Sequence, residues 1–119
     1  MKSIKENVTE LNNMILEGKL LEAFDKFYAD DIVMQDNENP PREGNKDCRA
    51  FEESFVSSLT AFRGASLGQV MVSEEAGVSA CEWTFDYSHK EWGDRKYTQL
   101  AIQRWKDGKI VSEKFVYNG

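Results

Sequence analysis

The chain has 119 residues and a formal net charge of -6, enough for one domain with a real core and too short for two. Lys and Arg are scattered among acids rather than clustered, which argues against nucleic acid and anionic lipid as partners. No apolar run approaches the length of a membrane span, and the opening MKSIKENVTEL lacks the continuous apolar core of a signal peptide. A cytoplasmic location is therefore expected. Cys48 and Cys81 lie far apart with no Cys or His cluster near them, so free, buried thiols are expected and a structural zinc is not.

Ser3 followed by Glu6 reads as a capping box opening the first helix, with Ile4, Val8, Leu11 and Ile15 at helical spacing and Gly18 as its stop. A second helix is predicted from about Leu20 to Tyr28, and Asp30-Asp31 are read as capping, solvated acids rather than a metal pair. A short strand, Ile32-Val33-Met34-Gln35, stops on Asp36. By parity Asp36 shares the face of Ile32 and Met34, so it either caps an Asx-rich turn or is an acid held inside a cavity. Asn45 is the expected N-cap of a third helix, with Cys48, Phe51, Phe55, Leu59 and Phe62 on its aromatic face and Gly64 at its end.

From Ala65 the period changes to that of strands, over about Ser66–Ser73, Val78–Ser88, Arg95–Trp105 and Ile110–Tyr117. Lys106-Asp107-Gly108-Lys109 is a strong hairpin signal. His89, the sole histidine, lies among charged residues near a hairpin tip and is expected at the solvated surface. Helices first and an antiparallel meander afterwards make an α+β domain, three N-terminal helices packed on one strongly curved sheet.

LLEAFDKFYADDIVMQD, then PPREG leading into a helix, then QRWKDGKIVSEKFVY cover nearly the whole chain with the intervening strands. In this order they resemble the nuclear transport factor 2-like superfamily, which includes SnoaL-like polyketide cyclases and ketosteroid isomerases. The resemblance implies a single domain over 1–119, a cone whose mainly antiparallel sheet encloses an internal pocket, and a homodimer through the outer sheet face. The alternation of Leu100 and Ile102 with Ala101 and Gln103 leaves both faces of that strand partly apolar, as a covered outer face requires.

The same resemblance aligns Tyr28–Asp36 with the isomerase pattern and puts Asp36 where that family keeps its general base. Burial in an apolar pocket suits such a base, because desolvation raises its proton affinity. The family's oxyanion donors do not carry over: the first-helix position is Leu11 or Asn12 and the third-strand position is Ala101, so steroid isomerisation by that arrangement is not expected. SnoaL-like cyclases take their acid from the end of the last strand, where this chain has Val116, Tyr117 and Asn118. Glu113 is the only carboxylate on that strand, and Asp36 and Glu113 are the candidate catalytic pair. Gln99, Gln103 and Trp105 share the inward parity of Ala101; Phe115 and Tyr117 share the face of Glu113. With Tyr28, Met34, Phe55, Trp83 and Phe85 they make the candidate ligand-binding wall.

Two functions stay open at this level. One is proton transfer on a small carbonyl compound with Asp36 as base, without metal or organic cofactor. The other is a non-catalytic module that binds a small apolar molecule and acts as a dimer.

Overall fold

The structure is a computed structural model and describes residues 2–118. Helix α1 (Ile4–Leu16) opens on the expected capping box: Ser3 Oγ accepts the Glu6 N–H at 3.1 Å, and the Glu6 carboxylate accepts the Ser3 N–H at 3.0 Å. Glu74, from a distant turn, accepts the N–H groups of Ile4 and Lys5 at 2.9 and 3.0 Å, so a second carboxylate meets the positive end of the helix. Val8 and Leu11 are fully buried, and Gly18 takes the left-handed conformation at φ 80°.

Helix α2 (Leu20–Phe27) runs straight into strand β1 (Tyr28–Asp36). Tyr28 is thus the first residue of the strand rather than the last of the helix, and β1 is longer than Ile32–Gln35. Asp30 and Asp31 lie within it, exposed. The chain then doubles back as strand β2 (Arg42–Glu43), which pairs Met34 with Arg42 and sets both side chains on the inner face. Helix α3 (Asn45–Ser57) is capped by Gly44 at φ 88°, so Asn45 is its first helical residue and not its N-cap.

Four long strands follow: β3 (Leu59–Ser73), β4 (Val78–His89), β5 (Gly93–Lys106) and β6 (Lys109–Val116). Helix α3 therefore ends before Leu59, although Phe55, Leu59 and Phe62 continue its spacing. Pairing of Leu59 with His89 and of Phe62 with Tyr87 gives those residues a ladder of backbone hydrogen bonds that overrides the local helical pattern. The β5–β6 turn is the predicted Asp-Gly pair, both in positive φ at 53° and 78°.

The six-stranded sheet has the order β2-β1-β6-β5-β4-β3, parallel only between β1 and β6, and it does not close. Three register shifts between β3 and β4 bend its long edge around the helices. One end of the resulting cone is packed solid by Val8, Leu11, Phe24, Phe27, Ile32, Trp105 and Ile110. Each large apolar side chain buried there contributes roughly 1.5–3 kcal/mol. Cys48 and Cys81 are both buried free thiols. No helix among the described residues is long and apolar enough to cross a membrane.

Candidate functional site

The other end of the cone is hollow. A cavity of about 900 Å³ opens between α1, α3 and the concave face of the sheet. Its mouth is rimmed by the half-exposed apolar side chains of Leu16, Val56, Phe62 and Trp92. Stacked rings form the wall, Trp83 on Phe85 at 5.5 Å and Tyr97 on Tyr117 at 5.1 Å between centroids.

Glu113 lies at the inner end, only 3 % exposed. Strand β6 places it beside Met34 of β1, and β5 places Gln103 opposite it. Tyr28 Oη donates to Glu113 Oε1 at 2.5 Å and Gln103 Nε2 donates to Oε2 at 2.8 Å. Burial pushes the Glu113 carboxyl up to about 7; its two neutral donors pull the other way, and the charge of Asp36 adds to the rise. Burial also raises the Tyr28 phenol well above its ordinary value, with the Glu113 charge beside it the next cause.

Asp36 faces the same cavity from the end of β1, two residues along from the Met34–Glu113 pair. Strand spacing and rise put the two backbone positions roughly 8 Å apart. Tyr117 Oη donates to Asp36 Oδ2 at 2.9 Å, and Arg42 Nη2 reaches Oδ1 at 3.4 Å. Burial first, then donation to Asp36, pushes the Tyr117 phenol up to about 12. The Arg42 guanidinium sits over Phe51, its Cζ 3.7 Å from the ring centre, and its buried Nε has no hydrogen-bond partner among the described residues.

A third carboxylate, Glu52 of α3, lines the cavity and was not evident from sequence. Burial, and then the neighbouring Glu113, push it up to about 7, against the pull of Arg42. Its position is readable in retrospect: Cys48, Glu52 and Phe55 fall on one stripe of α3, so the acid interrupts an apolar face. Arg42 was also missed, because nothing in PPREG tells which way the short strand β2 turns its side chains. Tyr97 was overlooked although it shares the parity of Gln99 and Ala101.

Among the other expected wall residues, Met34, Phe55, Phe85, Gln99, Gln103, Phe115 and Tyr117 all line the cavity with Trp83 and Tyr28. Trp105 does not, and that expectation is corrected. Its inward parity points it into the filled end of the cone, edge-on to Phe27 at 6.1 Å, with Nε1 donating to Ser79 Oγ at 2.8 Å. His89 is likewise not a solvated surface residue: it is buried, stacked on Trp92 at 3.8 Å, and its Nδ1 accepts from the backbone of Glu91 at 3.1 Å. Leu11 and Ala101 leave the two isomerase oxyanion positions apolar, and Asn12 Nδ2 is turned to Cys81 Sγ at 3.4 Å. No group of three or more His, Cys, Asp or Glu side chains among the described residues is arranged to hold a metal ion.

A sequence model of the SnoaL-like domain matches residues 8–113. The chain belongs to the SnoaL-like family. Comparison with curated proteins gives no match. Among solved structures, a protein of Mesorhizobium loti provisionally described as a SnoaL-like polyketide cyclase is similar with a TM-score of 0.85 at 23 % identity, over 96 % of this chain and 98 % of that one. A provisionally described polyketide cyclase of Pseudomonas putida gives 0.78 at 17 % identity, over 99 % and 93 % of the two chains. A provisionally described isomerase of Bacillus subtilis gives 0.76 at 15 %, over 95 % and 84 %. At these identities the likeness shows that the SnoaL-like domain shares their fold; its chemistry has to be read from its own cavity.

Proposed function

We propose that this SnoaL-like domain transfers a proton on a small carbonyl compound held in the cavity, with Glu113 as the principal acid–base group. The observation that carries the reading is Glu113 itself: buried, facing the cavity, held by two neutral donors and pushed up to about 7. A carboxyl poised near the working pH can take a proton and return it, whereas an ordinary glutamate is a poorer base. The resemblance implies the base at Asp36; in this reading Asp36 takes the second part. It anchors Arg42 and Tyr117 at the cavity wall, and Arg42 sets a fixed positive charge there for the oxygen on which charge develops. That would supply what Leu11, Asn12 and Ala101 do not.

The test is hydrogen exchange at the carbon next to the carbonyl, followed by NMR in deuterated water over a panel of small aryl and alicyclic ketones. The wild type should exchange at least one panel member faster than buffer. Glu113→Gln should lower that rate at least a hundredfold, within the usual range for a lost acid–base group. Arg42→Met should lower it by a similar factor. Exchange that Glu113→Gln leaves untouched contradicts the assignment.

A homodimer through the outer sheet face is part of the same proposal. Met71, Ala80 and Ile102 stand side by side across three strands, and Leu100 pairs with Val116 in the next row; Met71 and Val116 are 55 % and 43 % exposed. Ile102→Glu should turn a dimer into a monomer in size-exclusion chromatography with light scattering. A wild type that is monomeric at micromolar concentration removes the dimer.

A further inference from the structure

Behind the cavity wall runs a chain of hydrogen bonds with a fixed direction. Trp105 Nε1 can only donate, and it donates to Ser79 Oγ at 2.8 Å. Ser79, its oxygen occupied, sends its own hydrogen to Gln103 Oε1 at 2.6 Å. The Cys81 thiol points at that same oxygen from 3.7 Å. With its carbonyl end taken, Gln103 must present its NH₂ end to Glu113, where it donates to Oε2 at 2.8 Å. Ser79 is fully buried, Gln103 is 2 % exposed and Trp105 9 %, so solvent is poorly placed to replace a missing link. At the other carboxylate oxygen, the 2.5 Å between Tyr28 Oη and Oε1 accommodates one hydrogen.

We propose that Ser79 and Trp105, neither of which lines the cavity, are positioning residues that act through Gln103 to keep an N–H on Oε2 of Glu113, so that a proton taken up by Glu113 is held on Oε1 and the Tyr28 hydroxyl turns to donate into the cavity. The step balances as a single proton transfer. The C–H bond breaks and its electron pair stays on the substrate as an enolate. The proton bonds to Oε1, and the charge of the carboxylate passes to the substrate oxygen. Tyr28, which donated to the ionised Glu113, now accepts from Oε1–H. Its own hydrogen is freed for the enolate oxygen, without loss of a covalent bond. Uptake of the proton would itself create an oxyanion donor, in a family member whose first-helix and third-strand positions provide none. This consequence rests on the proton-transfer reading above; the polarity of the chain does not.

The experiment follows the Glu113 carboxyl carbon by NMR through a pH titration of the whole protein, with Glu113→Gln used to assign the signal. Ser79→Ala lets the Gln103 amide reverse and lose its donation to Oε2, so the Glu113 midpoint should rise by about one pH unit. Ser79→Thr keeps the hydroxyl and should restore the wild-type midpoint. In a Gln103→Leu background, Ser79→Ala should add nothing, since the link through which it acts is gone. A folded Ser79→Ala protein with an unchanged midpoint overturns the proposal, as does a Ser79→Ala shift that persists without Gln103. If Ser79→Ala does not fold, Trp105→Phe keeps most of the ring bulk, removes the N–H and should move the midpoint the same way by less; no movement overturns the proposal. The titration needs no substrate, so its failure leaves proton transfer standing, and a panel of ketones without exchange leaves the positioning chain standing.

Discussion

Glu113→Gln is expected to make the protein more stable at pH 8, by about 3 kcal/mol, while removing the proposed proton transfer. The folded Glu113 is pushed up to about 7 from an ordinary value of 4.5, so between those values the folded state binds more protons than the unfolded one. Stability therefore falls as pH rises through this window: the contribution is complete below the unfolded value and is lost as pH passes the folded one. Glutamine resembles the protonated acid, accepting from Gln103 and donating to Tyr28, and it does not titrate. The variant should match wild type near pH 4.5 and exceed it progressively up to pH 8, in urea or thermal unfolding. It should also lower the midpoint of Glu52, which loses a neighbouring negative charge. Parallel stability curves for the two proteins would show that Glu113 carries no such burden. In the proton-transfer reading, that loss of stability at working pH is what keeping an ionisable acid in the cavity entails.

Trp105→Ala should cost about 3–5 kcal/mol, whereas Trp83→Ala should cost distinctly less. Both rings are buried, but their surroundings differ. Trp105 packs in the filled end of the cone against Phe27 and gives its N–H to Ser79, so truncation opens a new void and strands a polar partner. Trp83 reaches the cavity only at its edge but stacks on Phe85, which also lines it, so the void left by truncation merges with existing space. Chemical denaturation of the two variants measures the difference, and equal losses would mean that the cavity is not hollow at Trp83.

Much of the scaffold could be read from local chemistry. The Ser3–Glu6 box, the stop at Gly18 and the Asp107-Gly108 turn are short-range features whose physics is complete within a few residues, and each is where it was expected. Parity correctly turned Asp36, Gln103 and Glu113 inward, because alternation along a strand is a local property that holds wherever no bulge interrupts it. What failed depended on distant partners. The spacing of Phe55, Leu59 and Phe62 fits a helix, and only the pairing of β3 with β4 shows that the helix stops first. Trp105 has the right parity but the wrong depth, since parity tells which side of a sheet a residue faces and not whether void or core lies beyond. Arg42 and Glu52 reach the cavity through the return of β2 along β1 and the seating of α3 over the sheet, neither of which is written in the neighbouring residues. His89 read as a surface residue because its sequence neighbours are charged; its stacking on Trp92 belongs to the fold of the hairpin tip.

The most direct measurement is the titration of the Glu113 carboxyl in the wild-type protein, read from its side-chain carbon by NMR. The geometry predicts a midpoint near 7, with Glu52 titrating in the same range. A Glu113 midpoint at the ordinary 4.5 would mean a carboxylate that stays charged at neutral pH, and would contradict its assignment as the group that takes and returns the proton.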